Sequence, residues 1–194
     1  MSITPDLSTF KKEYDAGRNQ IIFSKLASDL DTPVSIMLKL AEAKKNSFIL
    51  ESVTGGETRG RYSIIGMEPD LIWKCEGDQS FLSSGNNKFT HVEGNPLNIF
   101  RDLLKQSAIN LPEDLPQASA GLFGYFGYDM VRHVEDLPNV NPDKIGLPDA
   151  MFIRPSLIAV LDGVKGSVIL VAPVFYNKNT SSNQAFEKAL NKIE

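Results

Sequence analysis

The apolar positions of this chain fall into short runs separated by glycine, proline and Asn/Asp-containing stretches, a pattern that predicts strands and short helices joined by turns. Ser8 is placed to cap a first helix, with Phe10 and Tyr14 four apart on one face and Gly17 at its C-terminal end. Ile21-Ile22-Phe23 is a brief strand. Asp31 or Thr32 caps a second helix, and Pro33 sits at its first position, where a missing N–H costs nothing. Val34, Met37, Leu38 and Ala41 then recur at i, i+3, i+4 and i+7, which predicts one apolar stripe.

The stretch from Ser47 to Gly66, SFILESVTGGETRGRYSIIG, predicts two strands joined by a polar loop. Phe48-Ile49-Leu50 leads into Glu51 and Ser52, Gly55, Gly56 and Gly60 follow, and a second apolar run opens at Arg61-Tyr62-Ser63. Pro69 is expected to break this second run, with Asp70 to Cys75 resuming it. Turns at Glu76-Gly77-Asp78 and Ser83 to Asn87 then give an antiparallel meander through Gln79–Leu82 and Lys88–Val92. Asn95-Pro96 repeats the cap-then-proline signal, with Leu97, Phe100 and Leu104 along one side of the helix and Ile99 and Leu103 beside them. After a proline-rich loop, Gly121-Leu122-Phe123 is a strand, Tyr128 to Val134 one or two helical turns, and Asn139 to Pro148 a loop. Two long apolar runs, Ala150–Leu161 and Ser167–Tyr176, flank Asp162-Gly163 as a hairpin. Ser181 or Ser182 starts a last helix with Phe186, Leu190 and Ile193 in line. The fold class is α+β, mostly antiparallel sheets with flanking helices.

Composition narrows the function classes. The chain is 42% hydrophobic and 23% charged, ordinary values for a globular protein. Its net charge is −4, without a Lys/Arg cluster, which argues against nucleic-acid and anionic-membrane partners. One cysteine, Cys75, excludes an internal disulfide framework. No apolar stretch approaches the roughly 20 residues of a membrane-spanning helix, and the N-terminus lacks a secretory h-region. The expected location is the cytoplasm.

The motifs add a family. ILES followed by GGETRGRYSIIG, with LDTPVSIMLKLAE (Leu30 to Glu42) before it and GLFGYFGYDMVRHVEDLP (Gly121 to Pro138) after it, resembles the N-terminal region of anthranilate synthase component I. The resemblance implies orthogonally stacked sheets with flanking helices, shared between that region and a chorismate-binding catalytic region. It also implies conversion of chorismate and ammonia or glutamine to anthranilate and pyruvate with Mg2+, a glutamine amidotransferase partner subunit, and feedback inhibition by L-tryptophan. Residues 1–194 then form one N-terminal region. The helix at 182–194, which ends without a cap, glycine or proline, reads as the start of a truncated linker. The catalytic and Mg2+-binding motifs of the family lie beyond this chain, so no catalytic residue is named and no lyase activity is expected of it alone. The component I of aminodeoxychorismate synthase, a folate-pathway enzyme, resembles this region too, and a stand-alone amino-acid-binding or interaction module is a further alternative.

By geometry alone, Glu51 and Ser52 are polar residues at a strand end. The family resemblance makes Ser52 a candidate contact of L-tryptophan, with Leu50 and Glu51 flanking it. A hydroxyl and a carboxylate suit part of a zwitterionic amino acid, which also needs donors for its carboxylate and an apolar slot for its ring. Arg61 is either a fork for a carboxylate or a solvated surface residue. The glycines of GGETRG match neither a P-loop nor a dinucleotide fingerprint. Gly121, Gly124 and Gly127 are read as sites of close backbone approach, with Phe123, Tyr125 and Phe126 filling space. His91 and His133 have no ligand partners at metal spacing.

Overall fold

Helix α1 (Leu7–Asp15) is capped by Asp6, whose side chain accepts from Thr9 N–H, two residues earlier than the expected Ser8. Phe10 and Tyr14 are its buried residues, as the spacing predicts. Strand β1 (Gln20–Ala27) follows, and then α2 (Pro33–Ala41), opened by Thr32, whose Oγ1 accepts from Ser35 N–H at 3.1 Å. These elements belong to a computed structural model that describes residues 2–28, 30–41, 44–52, 60–85, 88–138 and 142–194. Glu42 and the loop positions Gly55, Gly56, Asn86, Asn87 and Asn139 lie outside the described residues.

The expected stripe on α2 is corrected. Ile36 and Ala41 are buried and Met37 and Leu40 pack beside them, while Val34 is 51% and Leu38 66% exposed. Six of the nine residues, Val34, Ile36, Met37, Leu38, Leu40 and Ala41, are apolar. Periodicity therefore permits more than one stripe, and packing selects among them.

The rest of the chain forms β2 (Phe48–Leu50), β3 (Tyr62–Glu76), β4 (Gln79–Ser83), β5 (Thr90–Val92), α3 (Pro96–Gln106), β6 (Phe123–Phe126), β7 (Ala150–Asp162), β8 (Ser167–Val174) and α4 (Ser182–Ile193). Short 3-10 turns occupy Gln117–Ser119 and Tyr128–His133. Every strand pairing between β1 and β8, β7 and β8, β2 and β3, β3 and β4, β4 and β5, and β6 and β7 is antiparallel. The fold is thus α+β as expected. Pro69 does not break β3. The strand runs 15 residues through it, with Glu68 just before the proline in a left-handed conformation, φ 50°. A positive-φ residue bends a strand without ending it, so the proline marks a bend here and not the expected break.

The chain divides into two compact units. The first comprises residues 1–69, 107–121 and 155–194. Here α1 and α4 pack on β1 and β8, and Phe10, Tyr14 and Phe186 form an aromatic group with ring centroids 5.5 and 5.2 Å apart. Leu157, Ala159 and Leu161 of β7, and Val168, Leu170 and Ala172 of β8, line that core. Ile158, Val160, Ile169 and Val171, which point the other way, are buried as well. Burial of both faces accounts for the two unbroken apolar runs. Ser181 and Gln184 form a reciprocal capping box at the start of α4.

The second unit comprises residues 70–106 and 122–154. Its core is Trp73, Cys75, Phe100, Leu103, Met130 and Ala150. On α3 the buried side carries Leu103 and leaves Leu104 exposed, a rotation of one position from the expected Leu97–Phe100–Leu104 line. Arg154 pairs with Asp70 through two hydrogen bonds of 2.7 and 3.0 Å. Of the three glycines expected to mark close backbone approach, Gly124 and Gly127 do so, whereas a Cβ on Gly121 would meet nothing within 4 Å and that glycine instead holds a φ of 142°. A Cβ on Gly124 would fall 2.0 Å from the Met151 carbonyl oxygen.

Candidate functional site

The first unit holds a cavity of about 360 Å³, lined by residues from the end of β1 to the start of α2, from the end of β2, from the start of β3 and from the β7–β8 turn. Three of the four residues singled out in the sequence meet there: Glu51, Ser52 and Arg61. Leu50 does not line it. Its side chain is 52% exposed and its backbone pairs with Ile64 in the β2–β3 ladder.

Local structure explains the convergence. β2 stops after Leu50, and Ser52 is then tied to the neighbouring strand by its N–H, which donates to the buried Ser63 Oγ at 3.1 Å. Ser63 also lines the cavity. Arg61 stands one residue before β3. Its carbonyl accepts from Gly163 N–H at 2.9 Å, which ties the strand entrance to the β7–β8 turn. Its guanidinium takes an internal carboxylate. Nε donates to Asp162 Oδ1 at 2.8 Å and Nη2 to Asp162 Oδ2 at 2.6 Å. Arg61 is therefore a half-buried fork closed on Asp162, and the carboxylate it faces belongs to the protein.

Sequence reasoning missed the other contributors. Asp162 was read only as a hairpin signal, and Asp31 only as a cap. Asp31 accepts from Lys39 Nζ at 2.6 Å and Ser35 Oγ at 3.1 Å, and these partners hold its carboxyl below the usual range. The hydrogen bond from Arg61, helped by the amides of Lys165 and Val164, does the same for Asp162 against the opposing effect of burial. Ser28 Oγ is buried with no hydrogen-bond partner among the described residues. The signal available in the sequence was the cluster DGVKG after an apolar run, but nothing local says which strand entrance that turn meets.

Three carboxylates, Asp31, Glu51 and Asp162, thus line the cavity, Asp162 paired with Arg61 and Asp31 with Lys39. With the hydroxyls of Ser28, Ser52, Ser63 and Ser167, they offer acceptors and negative charge. Leu161, Val164 and Pro33 supply the apolar part. Such a wall suits a small ligand carrying an ammonium group and an apolar body.

A second cluster lies in the other unit. Cys75 Sγ is 3.7 Å from His133 Nε2, and His133 Nδ1 is 3.8 Å from Asp78 Oδ1. The order of groups resembles an activated thiol, but the sulfur is buried and donates to the Gly77 carbonyl at 3.2 Å. Burial, with Asp149, Asp78 and Glu76 nearby, pushes the thiol up to about 11. Since the thiolate is the reactive species, Cys75 should resist a disulfide reagent at pH 8 in the folded protein and react at the normal rate in denaturant. Rapid labelling without denaturant would contradict that. Among the described residues, no group of three or more His, Cys, Asp and Glu side chains is arranged to hold a metal ion, and no helix is long and apolar enough to cross a membrane.

No family model matches the chain. Anthranilate synthase component 1 of Cereibacter sphaeroides is 52% identical over 189 residues, which cover 95% of this chain and 38% of that protein. The protein of the same name from Acetivibrio thermocellus is 36% identical over 168 residues, covering 86% of this chain and 33% of its own length. The crystal structure of anthranilate synthase component I from Streptococcus pneumoniae superposes with a TM-score of 0.56 at 23% identity, over 87% of this chain and 35% of that one. By sequence relationship and by fold, this chain is a relative of anthranilate synthase component I, spanning a little over a third of the length of such a protein.

Proposed function

We propose that this chain is the N-terminal, feedback-sensing part of an anthranilate synthase component I, and that its cavity forms one wall of an L-tryptophan site. The complete protein would convert chorismate and ammonia, delivered by a glutamine amidotransferase subunit, to anthranilate and pyruvate in tryptophan biosynthesis. It would work in the cytoplasm. Mg2+, which the family implies, has no donor set among the described residues, and no step through it is assigned to this chain. The chain by itself would have no lyase activity.

The observation that supports the sensing role is the meeting of Glu51, Ser52 and Arg61 on one acidic cavity. Glu51 would accept from the ligand's ammonium, and Ser52 Oγ would either accept from the ammonium or donate to the carboxylate. Leu161, Val164 and Pro33 would take part of the indole. Because Asp162 is closed on Arg61 and Asp31 on Lys39, Glu51 would be the lining carboxylate that meets the cationic end of the ligand. The ligand's carboxylate and the rest of its ring would be read by residues outside this wall.

Calorimetric titration of the full-length polypeptide tests the assignment. Tryptophan should bind. Tryptamine, which keeps the ammonium and lacks the carboxylate, should compete with it. Indole-3-propionate, which lacks the ammonium, should bind at least about tenfold more weakly than tryptophan, the loss expected for one charge-assisted hydrogen bond. Ser52→Ala should weaken tryptophan by about tenfold and relax feedback inhibition with it. Equal affinity for tryptophan and indole-3-propionate would rule out ammonium recognition by Glu51.

A further inference from the structure

Asp162 closes β7 with its side chain only 4% exposed, and both of its oxygens are in use. Oδ1 accepts from Arg61 Nε and from the amides of Val164 and Lys165 at 3.1 and 3.2 Å. Oδ2 accepts from Arg61 Nη2. One carboxylate therefore joins the entrance of β3 to the turn between β7 and β8. Two backbone bonds finish the clamp: Gly163 N–H donates to the Arg61 carbonyl at 2.9 Å, and Ser28 N–H donates to the Gly166 carbonyl at 2.8 Å. Gly163, Val164, Gly166 and Ser167 of this turn and its exit all line the cavity.

The side of the guanidinium that would grip a ligand carboxylate, through Nε and Nη2, is turned onto Asp162. An incoming carboxylate would have to displace a buried one and leave it unpaired, which is unfavourable. We propose that Asp162 is a positioning residue for the amino-acid pocket: it closes Arg61 and clamps the β7–β8 turn, so that the cavity receives an ammonium and refuses a bare carboxylate. This inference rests on the reading of the cavity as an amino-acid site. Its consequence is a specificity rule. Neutralising Asp162 removes one negative charge from the lining and takes the carboxylate off the Nε–Nη2 edge of Arg61, so the site should shift towards anions.

The test is a titration of full-length wild type, Asp162→Asn and the double variant Arg61→Met/Asp162→Asn with tryptophan and indole-3-propionate. Thermal unfolding is followed in parallel. In Asp162→Asn, tryptophan should weaken about tenfold while indole-3-propionate holds or strengthens, so their affinity ratio falls by about tenfold or more. In the double variant, which has no guanidinium to turn towards an anion, the ratio should return towards that of wild type. A purely structural role would weaken both ligands in parallel, and that outcome overturns the proposal. Should Asp162→Asn not fold, Arg61→Lys carries the test. Lysine keeps the charge but cannot span both oxygens, and the Gly163–Gly166 amides should exchange hydrogen about tenfold faster with tryptophan weakened in step. Unchanged exchange and affinity overturn the proposal. Failure of wild type to bind tryptophan overturns the amino-acid reading itself and this role with it. Binding by wild type with an unchanged ratio in Asp162→Asn overturns the role of Asp162 alone.

Discussion

Gly124→Ala should cost about 3 kcal/mol or more and lower the cooperative unfolding midpoint of the second unit sharply. The added carbon would sit 2.0 Å from the Met151 carbonyl oxygen, 2.7 Å from Phe152 Cα and 2.8 Å from Met151 C. All three belong to the main chain of β7, which is paired with β6 at this point, Gly124 opposite Phe152. A flexible side chain can swing away from a methyl group, but a paired backbone yields only by breaking its ladder. Ordinary overpacking costs about 1–3 kcal/mol, and a backbone clash this close belongs at or beyond the upper end. Gly127→Ala supplies the graded comparison. Its carbon would come closer than ordinary contact to the Asp149 carbonyl oxygen, at 2.9 Å, with Asp149 C and Cα at 3.7 and 3.9 Å, and a loss of about 1–2 kcal/mol is expected. Denaturant titration followed by fluorescence is direct, because Trp73 is the single tryptophan of the chain and lies in this unit. Equal midpoints for wild type and Gly124→Ala would refute the close approach.

Trp73→Ala should cost about 3–5 kcal/mol, the range for removing a fully buried large aromatic. Trp73 is 0% exposed. Its ring lies 4.9 Å from Phe100, 6.2 Å from Phe152 and 6.4 Å from Phe126, centroid to centroid. Its indole N–H donates to Ser80 Oγ at 3.2 Å, and both residues are buried. Alanine would leave a cavity among three phenylalanines and a hydroxyl without its donor. Trp73→Phe keeps most of the volume and loses the N–H, so it separates the two contributions. A cost of about 1–2 kcal/mol is expected there. Far-ultraviolet circular dichroism replaces fluorescence as the readout, since both variants lack the indole. A loss below about 1 kcal/mol for Trp73→Ala would show that the aromatic cluster does not hold this unit together.

These two positions differ in how far the sequence announced them. Gly124 stood in a visible pattern, glycines three apart with aromatics between, and close backbone approach was its expected meaning. The partner backbone, β7, could not be named. Trp73 stood in an alternating strand, and burial of Ile72 beside it as well as Cys75 went beyond what a strand with one polar face suggests. The same division holds at the cavity. Glu51, Ser52 and Arg61 were legible because they lie within 11 residues of one another around a strand end and carry a family motif. Asp162, about a hundred residues further on, was not. Its part in the site depends on the meeting of a turn and a strand entrance. Leu50 shows the converse: nearness to Ser52 in sequence made it a candidate, yet it is the last residue of β2, half exposed and paired with Ile64, while the residues that line the cavity come after the strand has ended.

What the chain determined by itself was local. Capping residues, turn glycines, strand alternation and the doubly apolar runs of β7 and β8 set most helices and the β7–β8 hairpin to within a residue or two, because each depends on interactions spanning a few positions, whereas β1 runs four residues past the expected Phe23 and β6 lies at Phe123–Phe126 rather than Gly121–Phe123. The family motif was equally a local string. Tertiary structure decided which stripe of the nearly all-apolar α2 is buried, that β3 passes through Pro69, and that Arg61 closes on Asp162. Those outcomes depend on contacts between segments far apart in the chain. A guanidinium takes whichever carboxylate the fold brings within reach, and no spacing in the sequence specifies that meeting.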